Sequence, residues 1–136
     1  MKKKLIIGIV ILTVLVVTWC AIPRPLVGSS YQLDYIEYQG ETLHFHDESS
    51  EAEREAIEAL LRTYQRSAVA HRLPWGGYGS LCLTGGDSRR PLHITLYDGS
   101  GGGTPCYMIY TSADKGGYPI RDGEKLMEEL LDILEN

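Results

Sequence analysis

Past residue 33 the sequence is short of positive charge. Nine Lys and Arg stand there against eighteen Asp and Glu, a formal −9. The other four basic residues, Lys2, Lys3, Lys4 and Arg24, all come earlier. Binding nucleic acid requires clustered Lys and Arg to neutralise phosphates, so no nucleic-acid partner is expected. The same balance speaks against a basic patch docking the domain on anionic headgroups. Solvation and mild self-repulsion account for the acidic excess.

Catalytic signatures are missing too. The glycine runs at 99–103 and 116–117 lack the Gly-Lys-Ser/Thr ending of a phosphate loop and do not open a helix directly. No Gly-x-Ser-x-Gly elbow, metalloprotease motif or glycosidase-type carboxylate pair can be read. There is no internal repeat or extended low-complexity segment, and no cofactor is expected.

Charge is absent altogether from residues 5–22. As a helix, eighteen residues at about 1.5 Å each span roughly 27 Å, close to the hydrocarbon thickness of a bilayer. Ile and Val dominate this stretch, and lipid leaves their backbone no alternative to helix. Lys2, Lys3 and Lys4 before it, against Arg24 after it, put the N-terminus in the cytoplasm by the positive-inside rule, and Trp19 suits the far interface. A buried core helix would need a polar face, and these positions offer none. The expectation is a single-pass membrane protein whose 1–22 segment is an uncleaved signal anchor, followed by a linker over 23–30 and an extracytoplasmic domain over 31–136. Two other fates stay open. Cleavage after Ser29, with Val27 and Ser29 at the recognition positions, gives a secreted protein. Lipidation of Cys20, within Val17-Thr18-Trp19-Cys20, gives a lipoprotein, although the bulk of Trp19 fits that motif poorly.

Cys82 and Cys106 lie outside the span. An oxidising compartment permits a disulfide between them, closing a loop that adds roughly 3 kcal/mol in the chain-entropy model. If their strands flank a third, they are too far apart to bridge and remain two buried thiols.

Patterning predicts the order ββαβββα. YQLDYIEY over residues 31–38 and ETLHFH over 41–46 read as a hairpin turned at Gln39-Gly40. Ser50 and Glu53 form a capping box opening a helix over 50–69, with Ile57, Leu60, Leu61, Tyr64 and Ala68 on one stripe. Arg54, Glu58 and Arg62 fall at i,i+4 spacing on its wet side. Strands follow at 80–84, 92–97 and 106–111, with turns at 85–88 and 98–103. Asp122 caps a last helix over 123–134, striped by Leu126, Leu130, Ile133 and Leu134. The fold class is therefore α+β, a membrane helix followed by a two-layer sandwich in which an antiparallel sheet carries two helices on one face.

Three constellations are candidates for function. His44 and His46 alternate on one strand face, so both imidazoles can reach one zinc with His93 as the third ligand. The loop Pro74-Trp75-Gly76-Gly77-Tyr78-Gly79 frees Trp75 and Tyr78 to project toward a partner, or lets Trp75 fold back on the core. Tyrosine is enriched, nine against a single Phe. Tyr35, Tyr97, Tyr107 and Tyr110 on strands can line a polar-aromatic sheet face open to a peptide or protein, or be ordinary solvent-tolerant strand residues. For catalysis only a Cys82–His93 thiolate pair comes forward, and Cys82 lies between Leu81 and Leu83 rather than at an activating helix N-terminus.

The reading that follows is a non-catalytic domain, tethered to the membrane by residues 5–22, that binds a protein or cell-envelope component. A metal-binding sensor using His44 and His46, and a small exported hydrolase, are the alternatives.

Overall fold

The computed structural model describes residues 1–45, 47–72, 80–88, 90–97, 106–110 and 116–136. The uncharged segment forms one helix, α1 (Lys2–Ala21), whose apolar window has a mean hydropathy of 2.4 and no residue buried against the rest of the chain. Its two hydroxyls donate to carbonyls one turn back, Thr13 to Ile9 and Thr18 to Val14, each at 2.8 Å. That bond satisfies a polar side chain inside an apolar helix. Length and composition fit a membrane anchor or a signal sequence.

The domain is α+β. Its main sheet has six antiparallel strands in the order β3-β2-β5-β6-β7-β8: β2 (Tyr31–Tyr38), β3 (Glu41–His44), β5 (Leu81–Asp87), β6 (Arg90–Leu96), β7 (Tyr107–Tyr110) and β8 (Tyr118–Pro119). A second ladder pairs β1 (Arg24–Pro25) with β4 (Gln65–Arg66). Two helices, α2 (Glu51–Thr63) and α3 (Gly123–Glu135), pack on each other and on one face of the sheet. Alternation explains that face. Leu33, Ile36, Leu81, Leu83, Leu92, Ile94, Leu96 and Met108 point one way along their strands and meet Ile57 and Leu61 of α2 and Leu126, Met127 and Leu130 of α3.

The hairpin turns at Gln39-Gly40, as the sequence predicts. Gln39 at φ 52° and Gly40 at φ 82° both lie in the left-handed region that two-residue hairpin turns favour. Three other elements differ from expectation. β5 runs through Gly85 and Gly86 instead of turning there, because Gly85 is the place where Tyr31 packs against the strand. α2 stops at Thr63, since the Tyr64 carbonyl accepts Leu26 N–H at 2.9 Å and the chain goes on extended as β4. Ala68 is thereby off the helix. Ser50 belongs to a 3-10 turn (Glu48–Ser50), and its hydroxyl donates to the Asp47 carbonyl rather than capping α2.

Glu58 is not on the wet side either. It is 7% exposed, with Arg54 and Arg62 on either side at 3.8 and 3.4 Å. Residues 23–30, expected to be a tether, lie along the domain. Leu26 and Val27 are core residues at 1% and 4% exposure, and Gly28 N–H donates to Asp87 at 3.2 Å.

Candidate functional site

The helices cover one face of the sheet, and the opposite face gathers most of the side chains singled out from the sequence. Cross-strand register sets them in two rows. The first runs His44 (β3), Tyr35 (β2), Thr84 (β5), His93 (β6) and Ile109 (β7). The second runs Thr42, Glu37, Cys82, Thr95 and Tyr107, and ends at Pro119 of β8. Neighbours along a row are one strand spacing apart, about 4.8 Å, so their side chains touch.

Aromatic and hydroxyl groups dominate the contacts. The rings of Tyr35 and His44 lie 5.7 Å apart, centre to centre, tilted at 52°. The Thr84 hydroxyl and His93 Nδ1 are 2.8 Å apart, which engages one ring nitrogen of His93 locally. Tyr97 continues this face past Thr95. It lies 6.2 Å from Tyr107, ring to ring, and burial together with a hydrogen bond to Tyr107 raises its phenol pKa above the ordinary value. Tyr110 departs from the expected set. It sits opposite Leu92 in register, on the helix side, edge-on to Tyr118 at 6.1 Å.

His44 and His93 share a row but are separated by Tyr35 and Thr84. Three strand spacings amount to about 14 Å, and zinc bonds to imidazole at about 2 Å, so one ion cannot bind both. Among the described residues no three His, Cys, Asp or Glu come together around a metal-sized site. His46, Trp75 and Tyr78 lie outside the described residues.

Cys82 and Cys106 are not bridged. Cys82 sits in the open-face row, whereas Cys106 is in the core on the helix side, 6% exposed. β6 runs between their strands, so the two spacings that separate them, about 10 Å, exceed the reach of a disulfide. Gly123 at the start of α3 packs on the Cys106 side chain, and burial pushes this thiol up.

Cys82 and His93 do share the open face, on adjacent strands and one diagonal step apart. The recess that Cys82 lines, about 280 Å³, is bordered by Glu37, Thr42 and Ser80 and not by His93. An activated pair requires a hydrogen bond between nucleophile and base. The His93 contact found here goes to Thr84.

Cys20 lies in the last turn of α1, exposed, with Trp19 before it stacked under the Arg24 guanidinium at 4.1 Å. Sequence reasoning missed two features, the buried Glu58 and the pairing of Arg24 with Arg66. Neither has a local signal, since each depends on which strands become neighbours. No protein-family model, curated protein or solved structure matches this chain.

Proposed function

We propose that the chain is a single-pass membrane protein with a cytoplasmic N-terminus, and that its domain, on the far side, binds an extended segment of a protein or cell-envelope component across the open sheet face. The observation that carries this reading is the two-row face itself. Five strands present Tyr35, His44, Thr84, His93, Cys82 and Tyr107 side by side around a buried Thr95, with no helix packed over them among the described residues. Aromatic side chains contribute large contact area at low entropic cost, and flanking hydroxyl and imidazole groups supply hydrogen bonds that fix register. Tyr35 and Tyr107 are only half-buried, so their rings have surface left to give.

Retention of α1 is supported by the three lysines ahead of it and by the docking of residues 24–27, which places core residues immediately after the span. The test is site-specific photocrosslinking in intact cells. A crosslinking residue at Tyr35 or Tyr107 should give one discrete adduct, weakened by His44→Ala. The same residue at Glu128, on the exposed surface of α3, should give none. Identical adduct patterns from the two faces would reject the reading. Alkaline extraction checks the anchoring separately, since an integral chain stays with the membrane.

A further inference from the structure

A net charge is a sum, and this domain distributes its charge unevenly. Arg54, Arg62 and Lys125 each sit within 4.0 Å of a carboxylate. Arg24, Arg66, Arg72, Arg90 and Arg121 have no such partner among the described residues, although the domain has acidic groups to spare. Of these, Arg24, Arg66 and Arg121 gather at the end next to α1. Arg24 and Arg66 face each other in the β1–β4 ladder, where like charges opposed across strands repel. Arg66 bridges to Ile120, and the neighbouring Arg121 N–H donates to the Gln65 carbonyl at 2.9 Å. Arg24 and Arg66 are steadied by aromatic rings instead, with Trp19 at 4.1 Å and Tyr118 at 4.2 Å.

The surroundings match. A recess of about 250 Å³ opens where the domain meets the helix, between Cys20 and Ala21 of α1 on one side and Ser67, His71 and Arg121 on the other. Val69 projects from the loop between Ser67 and His71 at 43% exposure. Within the domain, Leu43 is the other described large apolar residue so exposed, and it lies away from this end, on edge strand β3. Trp19, at 66% exposure, is at the same level. Asp122 and Glu129 line a neighbouring recess with Arg121 and Lys125.

We infer that this end of the domain is a lipid-headgroup docking surface, in which Arg24, Arg66 and Arg121 take phospholipid phosphates and Val69 meets the acyl boundary. The inference rests on α1 being retained in the bilayer. If it is, β1 starts three residues after the end of α1, and the arginines stand at the phosphate level by construction. Phosphate replaces the missing carboxylates and relieves the Arg24–Arg66 repulsion, since guanidinium groups pair with phosphate oxygens bidentately. The contact orients the domain. The open sheet face is then held at a fixed angle to the membrane instead of swinging on a tether.

The experiment reconstitutes the full chain in two kinds of vesicle, one of phosphatidylglycerol and phosphatidylcholine, the other of digalactosyl diacylglycerol, which presents no phosphate. Hydrogen exchange is followed at residues 64–72 and 117–121, whose amides include Ser67, His71, Gly117 and Arg121 in defined backbone bonds. Exchange there should be roughly tenfold slower in the phosphate-bearing vesicles, while α2 and β6 exchange equally in both. An R24Q/R121Q chain, which leaves the half-buried Arg66 in place, should lose most of that protection. If the chain floats with both kinds of vesicle and exchange is the same, the docking inference is overturned and the anchor stands. If the chain floats with neither, the anchor reading fails and takes the inference with it.

Discussion

The carboxylate of Glu58, in the middle of α2, accepts the Leu33 backbone N–H at 2.9 Å in the interior of the domain. Leu33 precedes a bulge in β2. There the pairing with β5 jumps from Leu33↔Gly85 to Tyr35↔Thr84 and Asp34 is left unpaired on that side. A bulge frees a backbone donor that the sheet cannot satisfy, and Glu58 satisfies it from the helix above. Arg62 adds a second tie between α2 and β2, donating to Glu58 Oε2 at 3.4 Å and to the Tyr31 carbonyl at 3.2 Å.

Replacing Glu58 with Ala should therefore cost about 2–4 kcal/mol, more than a surface salt bridge is worth, because it orphans a buried N–H and takes one carboxylate partner from both Arg54 and Arg62. Glu58→Gln, which keeps an acceptor, should lose about half as much. Denaturant unfolding of the domain measures both. Equal losses from the two variants would mean that charge, not the Leu33 bond, carries the effect.

The glycines of β5 provide a paired test. A methyl group on Gly85 would come within 2.7 Å of the Tyr31 hydroxyl and nearer still to the Gln32 carbonyl oxygen, a backbone atom that cannot swing aside. One on Gly86 finds its nearest neighbour, the Arg90 carbonyl, at 3.8 Å. Gly85→Ala should lower stability by about 1–3 kcal/mol through overpacking, while Gly86→Ala should change it by less than about 0.5 kcal/mol or raise it. The difference between the two midpoints is the measurement, and equal midpoints would contradict the packing described.

Alkaline stability should depend on Tyr64. Partial burial, and the hydrogen bond its hydroxyl donates to Glu129 at 2.8 Å, push this phenol from 10.0 up to about 12. The folded state holds the proton more tightly than the unfolded chain does. Stability is therefore level below pH 10 and falls as pH rises from 10 to about 12. Tyr31 and Tyr97 shift in the same direction, again through burial first. Tyr64→Phe should flatten part of the decline while leaving that from Tyr31 and Tyr97. Unfolding midpoints of the two proteins across this range should converge as pH rises, and parallel curves would disprove the assignment.

Periodicity made the helix stripes and the inner faces of β2 and β6 legible, because alternation at Leu92, Ile94 and Leu96 or a 3.6-residue repeat at Ile57 and Leu61 is a local property. Gly85-Gly86 misled because glycine serves turns and close approaches alike, and only the position of Tyr31 distinguishes them. The open face was half legible. Tyr35, His44, His93 and Tyr107 could each be named, but whether His44 lies beside His93 or three strands away depends on strand order, which no spacing encodes. Tyr110 shows the same limit, since the strand start at Tyr107 decides which of two tyrosines faces the helices.

The boundary of the domain gives the sharpest test. A composition of Pro23, Pro25, Gly28 and Ser29 reads as linker, yet Leu26 and Val27 between them are buried, and β1 pairs with β4. A fragment covering residues 30–136 therefore lacks two core side chains and a ladder that residues 23–136 retain. Burying Leu and Val contributes about 1.5–3 kcal/mol each, so the shorter fragment should be less stable by about 3–6 kcal/mol, a large share of what a small domain has. Comparing unfolding midpoints of the two fragments measures this, and equal midpoints would return these residues to the role of tether. Burial of Leu26 and Val27 also constrains processing. Cleavage after Ser29 would strip Leu26 and Val27 from a folded core, so the chain recovered from cells, read by intact mass, should still carry them.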